Sequence, residues 1–475
     1  MYNELSNNEI RELKQIVGEN NVVTEKEKME DYSHDEFALT DIRKYPEAVV
    51  KPQNTEQISK VMKLANENNF AVTPRGAATG LCGGCVPVFG GIVLSLEKMN
   101  RVVEIDKDNL MAVVEPGAML LDFYPKVKEA GLFFPPHPGD ESATFGGLVA
   151  TNAGGARAVK YGVIRNFIKG LEVVLPNGEI INIGGKIVKD SSGYSLLNLL
   201  IGSEGTLGIV TKIIINLLAP PAQISTLIVP YENMDDAIKT VPKLIHKGIL
   251  PMAIEFVEDD AIKVTEDFLN KKWPCQGQAY LMIVVDGSGD EEIEKISESI
   301  AEVCLEHEAI DVFVVDNNKK QKEILDIRSN IYEALRAKTI ELLDVVVPRV
   351  EIGNHVARVK ELSEEYNMWL PTYGHAGDGN VHTHLMKAGI KDGKLDTEET
   401  KDWPDKYKEI REKIHLDAQK RGGKVSGEHG IGIVKKEYLP LVTCPAQMEL
   451  MKQIKMVFDP NKVLNPGKIF DLKDD

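Results

Sequence analysis

Three glycine-rich runs in the first half of this chain restrict its fold most, because their small residues leave successive backbone N–H groups exposed. The runs cover residues 74–84, 139–155 and 201–208, and the first follows a predicted strand. Concave runs of backbone amides bind phosphate groups, and three such loops in one domain indicate a single long ligand. Any one run is weakly specific, since ordinary loops are also rich in glycine. The Gly-x-Gly-x-x-Gly fingerprint does not occur in the sequence, which argues against a Rossmann nicotinamide site.

A second pattern combines histidines and a carboxylate with glycines later in the chain. Residues 374–382 read Gly-His-Ala-Gly-Asp-Gly-Asn-Val-His, and residues 427–430 read Gly-Glu-His-Gly. We expect both segments to be loops, where close backbone approach lets His375, His382 and Glu428 converge on one ion or substrate. The simpler alternative is that the histidines are unrelated and the glycines only form turns. The spacing is wider than in most zinc motifs, so the pattern alone does not decide between them.

Length, charge and cysteine usage exclude several classes of protein. With 475 residues, the chain is long enough for two or more domains. A net charge of -17 argues against a nucleic-acid or anionic-membrane partner. No apolar run reaches the roughly eighteen residues of a membrane span, and the N-terminus lacks a signal-peptide pattern, so we expect a cytoplasmic protein. The odd number of scattered cysteines suits a reducing compartment and offers no iron-sulfur spacing. These cysteines are Cys82, Cys85, Cys275, Cys304 and Cys444.

Hydrophobic periodicity predicts mixed helices and strands and a division into four segments. Ser6 and Glu9 form a predicted capping box ahead of a short N-terminal helix. Strand, helix and strand alternate around a helix at 55–68, and another helix is predicted at 120–129. In the second half we predict an α+β arrangement with one helix over 321–336 and a solvated loop over 392–408. The predicted domain organisation is an N-terminal helical segment (1–45), a cofactor domain (46–220), a substrate domain (221–420) and a C-terminal segment (421–475).

The glycine runs and the two histidine motifs occur together and in order, and in this respect the chain resembles flavoproteins of the vanillyl-alcohol oxidase and p-cresol methylhydroxylase superfamily. Within it, the chain is similar to the branch of FAD-dependent D-lactate dehydrogenases, glycolate oxidase D subunits and D-2-hydroxyglutarate dehydrogenases. The resemblance extends from Pro46 to the Asn-Pro-Gly-Lys ending at 465–468. It implies an α+β fold: a two-subdomain FAD-binding domain of the p-cresol methylhydroxylase type, an α+β substrate (cap) domain, and a C-terminal segment that returns to the flavin.

The resemblance also implies which residues bind FAD. Some relatives attach the flavin covalently through a histidine in the first loop, but residues 74–88 contain none, so we expect noncovalent FAD. The residues that the resemblance assigns to FAD are Arg75, Gly76, Ala77, Ala78, Thr79, Gly80, Gly83, Gly139, Asp140, Ser142, Thr144, Asn152, Gly155, Ser203, Glu204, Gly205, Gly208, Ile209 and Asn465.

For the chemical site, the resemblance implies His375, His382 and Glu428 as ligands of one divalent metal, His429 as the catalytic base and Arg328 as the clamp for the substrate carboxylate. Two imidazoles and one carboxylate leave coordination positions open, which is typical of a reactive metal site, and zinc, iron(II) and manganese all remain candidates. Arg349 is a second candidate clamp. For either arginine taken alone, a surface salt bridge is the more common explanation. The resemblance favours Arg328 over Arg349 as the clamp.

Departures from the hydroxyglutarate enzymes narrow the expected substrate. His384 stands where those enzymes carry an asparagine, and we count it among the catalytic candidates. Their lysine for the distal carboxylate has no clear counterpart around 342–344. We therefore expect oxidation of a small 2-hydroxy acid, D-lactate in the first place, with glycolate or D-2-hydroxyglutarate as alternatives.

The expected electron acceptor is a protein, an electron-transfer flavoprotein or an iron-sulfur subunit, because the sequence carries no iron-sulfur motif and no nicotinamide fingerprint. Two other functions stay open. A metal-dependent hydrolase would be colourless, and a noncatalytic flavin-bearing electron-transfer subunit would be coloured but would not be bleached by any hydroxy acid.

Overall fold

The computed structural model describes residues 2–315 and 318–472, and the chain forms two compact units. The first unit consists of Met1–Ala153, Val163–Pro220 and Glu428–Asp475. The second consists of Gly154–Gly162 and Pro221–Gly427. Helices and strands are numbered below along the chain. Within the described residues, no helix combines the length and the apolar character that crossing a bilayer requires.

A four-stranded sheet forms one half of the first unit. Its strands are β1 (Val22–Val23), β2 (Ala48–Val50), β3 (Val72–Arg75) and β4 (Ile92–Ser95). The order is β1-β2-β4-β3, and β2, β4 and β3 run parallel. Helices α1 (Asn7–Val17) and α2 (Thr55–Asn68) share its apolar core. The capping box of α1 is confirmed, and α2 has the predicted bounds because Asn54 caps its first turn and left-handed Asn69 ends it.

A five-stranded antiparallel sheet forms the other half of the first unit. Its strands are β5 (Val102–Asp106), β6 (Met111–Val114), β7 (Ile168–Val174), β8 (Ile180–Gly184) and β9 (Ile209–Asn216). The order is β5-β6-β9-β7-β8, and β9 alternates buried and half-buried residues as a one-sided strand does. The further helices are α3 (Leu120–Glu129), α4 (Phe145–Thr151), α6 (Ile164–Phe167), α7 (Leu196–Leu200), α15 (Leu439–Val442) and α16 (Pro445–Phe458).

The second unit is built on a seven-stranded antiparallel sheet with the order β13-β10-β12-β11-β15-β16-β14. Its strands are β10 (Gln223–Tyr231), β11 (Ala253–Glu258), β12 (Ala279–Gly287), β13 (Phe313–Val314), β14 (Thr339–Val346), β15 (Thr372–His375) and β16 (Asn380–Met386). A separate hairpin joins β17 (Ile390–Lys391) to β18 (Lys394–Leu395). The helices are α5 (Ala158–Tyr161), α8 (Met234–His246), α9 (Asp259–Leu269), α10 (Asp290–Glu306), α11 (Asn318–Ser329), α12 (Ile331–Arg336), α13 (Ile352–Tyr366) and α14 (Trp403–Lys420).

Strand register brings polar residues together on one face of this sheet. Glu255 in β11 lies opposite His375 in β15, while His382 in β16 lies opposite both Tyr373 in β15 and Asp344 in β14. Directly opposed residues share a face, and so do residues two apart on a strand. All five side chains therefore lie on the same face, which is otherwise packed by apolar residues of α9, α11 and α12.

Three local predictions are wrong. The single helix expected over 321–336 is two helices, because Asn330 leaves helical geometry and its side chain donates to the carbonyl of Asp326. The loop expected over 392–408 ends where α14 begins at Trp403, a polar helix that buries only a few side chains such as Tyr407. His375 and His382 lie in strands β15 and β16, and only the turn between them is loop.

Candidate functional site

In the first unit, the first two glycine-rich loops approach each other so closely that only glycine fits at the contact. A Cβ atom on Gly76 would lie 2.2 Å from Oγ1 of Thr144. Real Cβ atoms do not come this near to another heavy atom, so a larger residue at 76 would push Thr144 away. The backbone at Gly76 in the first loop, which carries no side chain, therefore lies directly beside the buried hydroxyl of Thr144 in the second loop.

Asn465 joins the third loop and the C-terminal segment to the same place. Its side-chain amide donates to the carbonyl of Gly84, 3.1 Å away, and to that of Glu204, 2.8 Å away. Its backbone N–H donates to the carbonyl of Val72 in β3. The first loop, Thr144 of the second loop, the third loop and the segment around 465 therefore form one cradle within the first unit.

Two buried polar atoms in this cradle have no hydrogen-bond partner among residues 2–315 and 318–472: Oγ1 of Thr144 and Oδ1 of Asn465. Thr144 is 5% exposed and Asn465 is 2% exposed, so neither residue has much contact with solvent. Buried polar groups almost always have a partner, and an orphaned group indicates one that is missing from the protein itself. The cradle therefore fits a bound cofactor that carries polar groups, as FAD does.

Two predicted FAD ligands direct their side chains elsewhere in the same unit. The guanidinium of Arg75 donates to the backbone carbonyls of His34 and Asp31. The carboxylate of Glu204 accepts the N–H groups of Ile431 and Gly432 at 2.8 and 2.7 Å. Burial raises the pKa of Glu204, and these two amides partly offset that effect. Both side chains thus hold neighbouring segments against the cradle.

The remaining predicted FAD residues are distributed as follows. Asp140 accepts the backbone N–H and hydroxyl of Ser142, which folds the exposed turn that begins at Gly139. Ala78 and Asn152 adopt left-handed backbone conformations. Gly155 belongs to the second unit. The others lie in the first or third loop or at the start of β9: Ala77, Thr79, Gly80, Gly83, Ser203, Gly205, Gly208 and Ile209.

Sequence reasoning missed Asp35, whose buried carboxylate binds the backbone of the first loop. Its carboxylate accepts the N–H of Gly83 at 2.6 Å and is 5% exposed. Burial raises the pKa of Asp35 to about 6, against the lowering effect of the amides and of Arg75. Burial likewise lowers the pKa of Lys468, whose ammonium donates to the carbonyl of Val86, to about 8. No local pattern marks Asp35 as a support of the first loop, because Gly83 lies 48 residues away.

In the second unit, His375 and His382 face each other through their Nε2 atoms, which are 3.4 Å apart. Both residues are buried, at 8% and 5% exposure. Two nitrogens bound to one tetrahedral metal ion at 2.0–2.1 Å lie about 3.3 Å apart. The pair therefore has the spacing of two ligands on a single ion.

A buried carboxylate that sequence reasoning missed, Glu255, connects His375 to Arg328. Its Oε1 lies 2.7 Å from Nδ1 of His375, and its Oε2 accepts from the guanidinium of Arg328. Burial opposes the charged carboxylate, but its interactions with His375 and Arg328 outweigh burial and lower the pKa of Glu255. A charged residue inside the apolar strand Ala253–Glu258 was the available signal.

Arg328 and His384 both contact Tyr373. The guanidinium carbon of Arg328 lies 4.7 Å from the centre of the Tyr373 ring, and Nε2 of His384 lies 3.0 Å from its hydroxyl. Nδ1 of His384 lies 2.8 Å from the hydroxyl of Thr339, and the histidine is completely buried. His384 therefore lies in a buried hydrogen-bonded group with Tyr373 and Thr339. The alternative clamp, Arg349, is exposed in a short 3-10 turn.

The segment that carries Glu428 and His429 begins at a carboxylate of the same sheet face. Asp344 accepts the N–H of Gly427 at 3.1 Å and the hydroxyl of Ser426 at 2.9 Å. The chain continues directly from Gly427 into Glu428 and His429. Asp344 lies opposite His382 in the sheet and is completely buried, and sequence reasoning missed it. Glu428 and His429 begin the last segment of the first unit.

Comparison with known proteins decides the family. The model for FAD-binding domains matches residues 46–184, and that for the C-terminal domain of FAD linked oxidases matches residues 220–469. The chain belongs to the FAD-linked oxidase family. It is 41% identical to a D-lactate dehydrogenase of Anaerostipes hadrus over 98% of both chains. It is 45% identical to a D-lactate dehydrogenase of Archaeoglobus fulgidus over 89% of this chain and 90% of that one.

A solved structure supports the predicted fold class. The structure of p-cresol methylhydroxylase with substrate bound has a TM-score of 0.80 to this chain at 17% identity, over 99% of this chain and 98% of that one. The predicted α+β fold of the p-cresol methylhydroxylase type is therefore confirmed. The family models and the two relatives confirm the resemblance to FAD-dependent D-lactate dehydrogenases.

Proposed function

We propose that this FAD-linked oxidase oxidises a small 2-hydroxy acid, D-lactate in the first place, to the 2-oxo acid. The observation that carries the proposal is the buried group of His375, His382, Glu255 and Arg328 on one sheet face of a chain that also has an FAD-binding domain. In this group, the two histidines offer nitrogen ligands for a metal, and the guanidinium of Arg328 offers a positive charge for the substrate carboxylate. Relatives named D-lactate dehydrogenase support the choice of substrate class.

The cradle of the first unit would hold FAD noncovalently, and the bound flavin would supply the acceptor for a hydride from C2 of the substrate. The guanidinium of Arg328 binds the substrate carboxylate, because its Nε is a buried donor without a partner in the described part of the chain. His375 and His382 would hold a divalent metal, zinc, iron(II) or manganese, with Glu428 as the third ligand that the family resemblance implies. Such an ion would favour the ionised form of the substrate hydroxyl. His429 takes the hydroxyl proton, since an imidazole titrates near neutral pH.

A small substrate fits the residues around His384. Leu342, which lies opposite His384 in the sheet, is apolar and buried, so it offers no cation to a second carboxylate. Glycolate therefore remains a closer alternative to D-lactate than D-2-hydroxyglutarate does.

The test is anaerobic bleaching of the flavin by a panel of D-lactate, L-lactate, glycolate and D-2-hydroxyglutarate. We expect bleaching by D-lactate at the lowest concentration. The variant His429→Asn should stay yellow without bleaching, while His246→Asn, an exposed histidine at the end of α8, should behave as the wild type. A colourless protein would instead support a metal-dependent hydrolase, and colour without bleaching would support a noncatalytic electron-transfer subunit.

For reoxidation we propose a protein acceptor, an electron-transfer flavoprotein or an iron-sulfur subunit, and a cytoplasmic location. No disulfide joins the five cysteines in the part of the chain that the structure describes, which suits a reducing compartment. Full turnover of the isolated chain with oxygen or a quinone would contradict the protein acceptor.

A further inference from the structure

We propose that Glu255 is a positioning residue that orients His375 and Arg328 at the same time. One buried carboxylate would then set both the metal-binding nitrogen and the carboxylate-binding guanidinium. The inference rests on the proposed function, because it assigns a metal to His375 and a substrate carboxylate to Arg328. It adds a residue that neither the sequence patterns nor the family comparison assigns to the site.

On the histidine side, the contact decides which ring nitrogen carries the proton. Oε1 of Glu255 lies 2.7 Å from Nδ1 of His375, and a carboxylate can only accept there, so Nδ1 is protonated. The lone pair of His375 is therefore on Nε2, the atom that faces Nε2 of His382 at 3.4 Å. A carboxylate behind a ligating histidine fixes its tautomer and increases its basicity.

On the arginine side, the contact with Glu255 holds one terminal nitrogen of the Arg328 guanidinium and leaves Nε able to donate to a ligand. Oε2 of Glu255 accepts from one terminal nitrogen of Arg328, and the ring of Tyr373 lies 4.7 Å from the guanidinium carbon. Nε of Arg328 is buried and has no partner within residues 2–315 and 318–472. A planar fork fixed on one side by a carboxylate and a ring presents its remaining donors in a defined direction.

Strand pairing explains why Glu255 can make both contacts. It lies directly opposite His375 in the β11–β15 pair and is 1% exposed, so its side chain has little freedom. Arg328 approaches from the last turn of α11, which packs on the same sheet face. Each carboxylate oxygen is therefore used by a different element, and replacing the carboxylate releases both partners together.

The simplest alternative is that Glu255 only stabilises the fold as a buried ion pair. The same sheet contains a matched example of such a pair. Glu341 in β14 is 2% exposed, lies 2.9 Å from Nε of Arg411 and accepts the hydroxyl of Tyr407. It is an odd number of residues from Asp344 along β14 and so points to the opposite face. Glu341→Gln therefore removes an equivalent buried charge away from the site.

The experiment compares Glu255→Gln with Glu341→Gln in the flavin-containing protein after removal of metal by a chelator. Zinc affinity is measured by chelator competition without substrate, and KM and kcat for D-lactate are measured after zinc is restored. We expect Glu255→Gln to bind zinc at least about tenfold more weakly and to raise KM at least about tenfold, with flavin content unchanged. Glu341→Gln should keep both the zinc affinity and KM of the wild type.

Equal zinc affinity in Glu255→Gln and the wild type would overturn the proposal, and so would an equal loss in both variants. If the wild type binds zinc but no hydroxy acid bleaches its flavin, the proposed function fails, while a selective zinc loss in Glu255→Gln still supports the orientation of His375. Should Glu255→Gln fail to fold, nitrogen-15 spectra of histidine-labelled wild type decide. His375, assigned through His375→Gln, must be protonated on Nδ1, and protonation on Nε2 would overturn the proposal.

Discussion

The cradle in the first unit and the histidine site in the second unit are built on opposite physical principles. The cradle consists largely of backbone, and its shape requires glycine at close contacts, since a Cβ atom on Gly76 would clash with Thr144. The histidine site is made of charged and aromatic side chains on regular strands, held by contacts such as that between Glu255 and His375. The first is damaged by adding atoms, while the second is damaged by removing charge or a ligand.

The largest expected effect comes from removing a ligand in the second unit. His382→Gln should reduce the rate of flavin bleaching by D-lactate on the order of 1,000-fold, because Lewis-acid assistance is worth several kcal/mol. Flavin content should match the wild type, since His382 lies in the second unit and the cradle residues described above lie in the first. Stopped-flow spectroscopy measures the rate of flavin reduction, and the flavin absorbance of the purified variant measures its flavin content. A yellow wild type beside a colourless variant would show that flavin binding depends on His382.

Adding a single methyl group to the cradle should have the second-largest effect. A Cβ on Gly432 would lie 1.9 Å from the backbone carbonyl oxygen of Cys82 in the first loop, at a φ of +54°. We expect Gly432→Ala to cost about 3 kcal/mol of unfolding free energy and to lower flavin content. Gly131→Ala is the control, with a φ of +78° but no neighbour within 4 Å, and should cost about 1 kcal/mol with full flavin. Equal flavin in both variants would show that the contact is not needed.

A pH-dependent effect is expected from Asp35 under the first loop. The folded pKa of about 6 lies above the ordinary value of 3.8, because burial favours the neutral form. The folded state therefore binds more protons, and stability falls as pH rises from about 4 to about 6, by on the order of 2 kcal/mol. Urea unfolding midpoints at several pH values should show this fall in the wild type and a flatter profile in Asp35→Asn. Parallel profiles would rule out Asp35 as the source.

The smallest expected effect is that of Thr144→Val, which should stabilise the flavin-free protein but weaken the binding of flavin. Thr144→Val removes a buried hydroxyl that has no protein partner in the described structure, so flavin-free protein should gain about 1 kcal/mol of stability. Flavin affinity should fall about fivefold to tenfold, because the cofactor loses that hydrogen bond. Thr206→Val is the contrast, since its hydroxyl donates to the carbonyl of Ser203 at 2.7 Å and its loss should destabilise the flavin-free protein. Unchanged flavin affinity in Thr144→Val would remove Thr144 from the cofactor site.

Features set by neighbours in the chain were predicted well. Helices α2 and α3 have the predicted bounds, because apolar spacing and the left-handed residue that follows each helix, Asn69 or Gly131, act within a few positions. The first and third glycine runs are largely loops, since glycine density is itself a local property, whereas residues 145–151 of the second run form helix α4. The strand positions of His375 and His382 were missed because the surrounding glycines outweighed the short apolar stretches in the pattern.

The sequence by itself determined the fold class and the FAD-binding domain and supplied candidate metal ligands, because these depend on residue types and on the order of motifs along the chain. Only the tertiary structure decided that Glu255 meets His375 across 120 residues, that Asp35 supports Gly83, and that the hydroxyl of Thr144 faces Gly76 without a partner. Such contacts follow from strand register and loop packing. Register is fixed by the burial of whole sheet faces, and that information is spread over the chain rather than contained in any one segment.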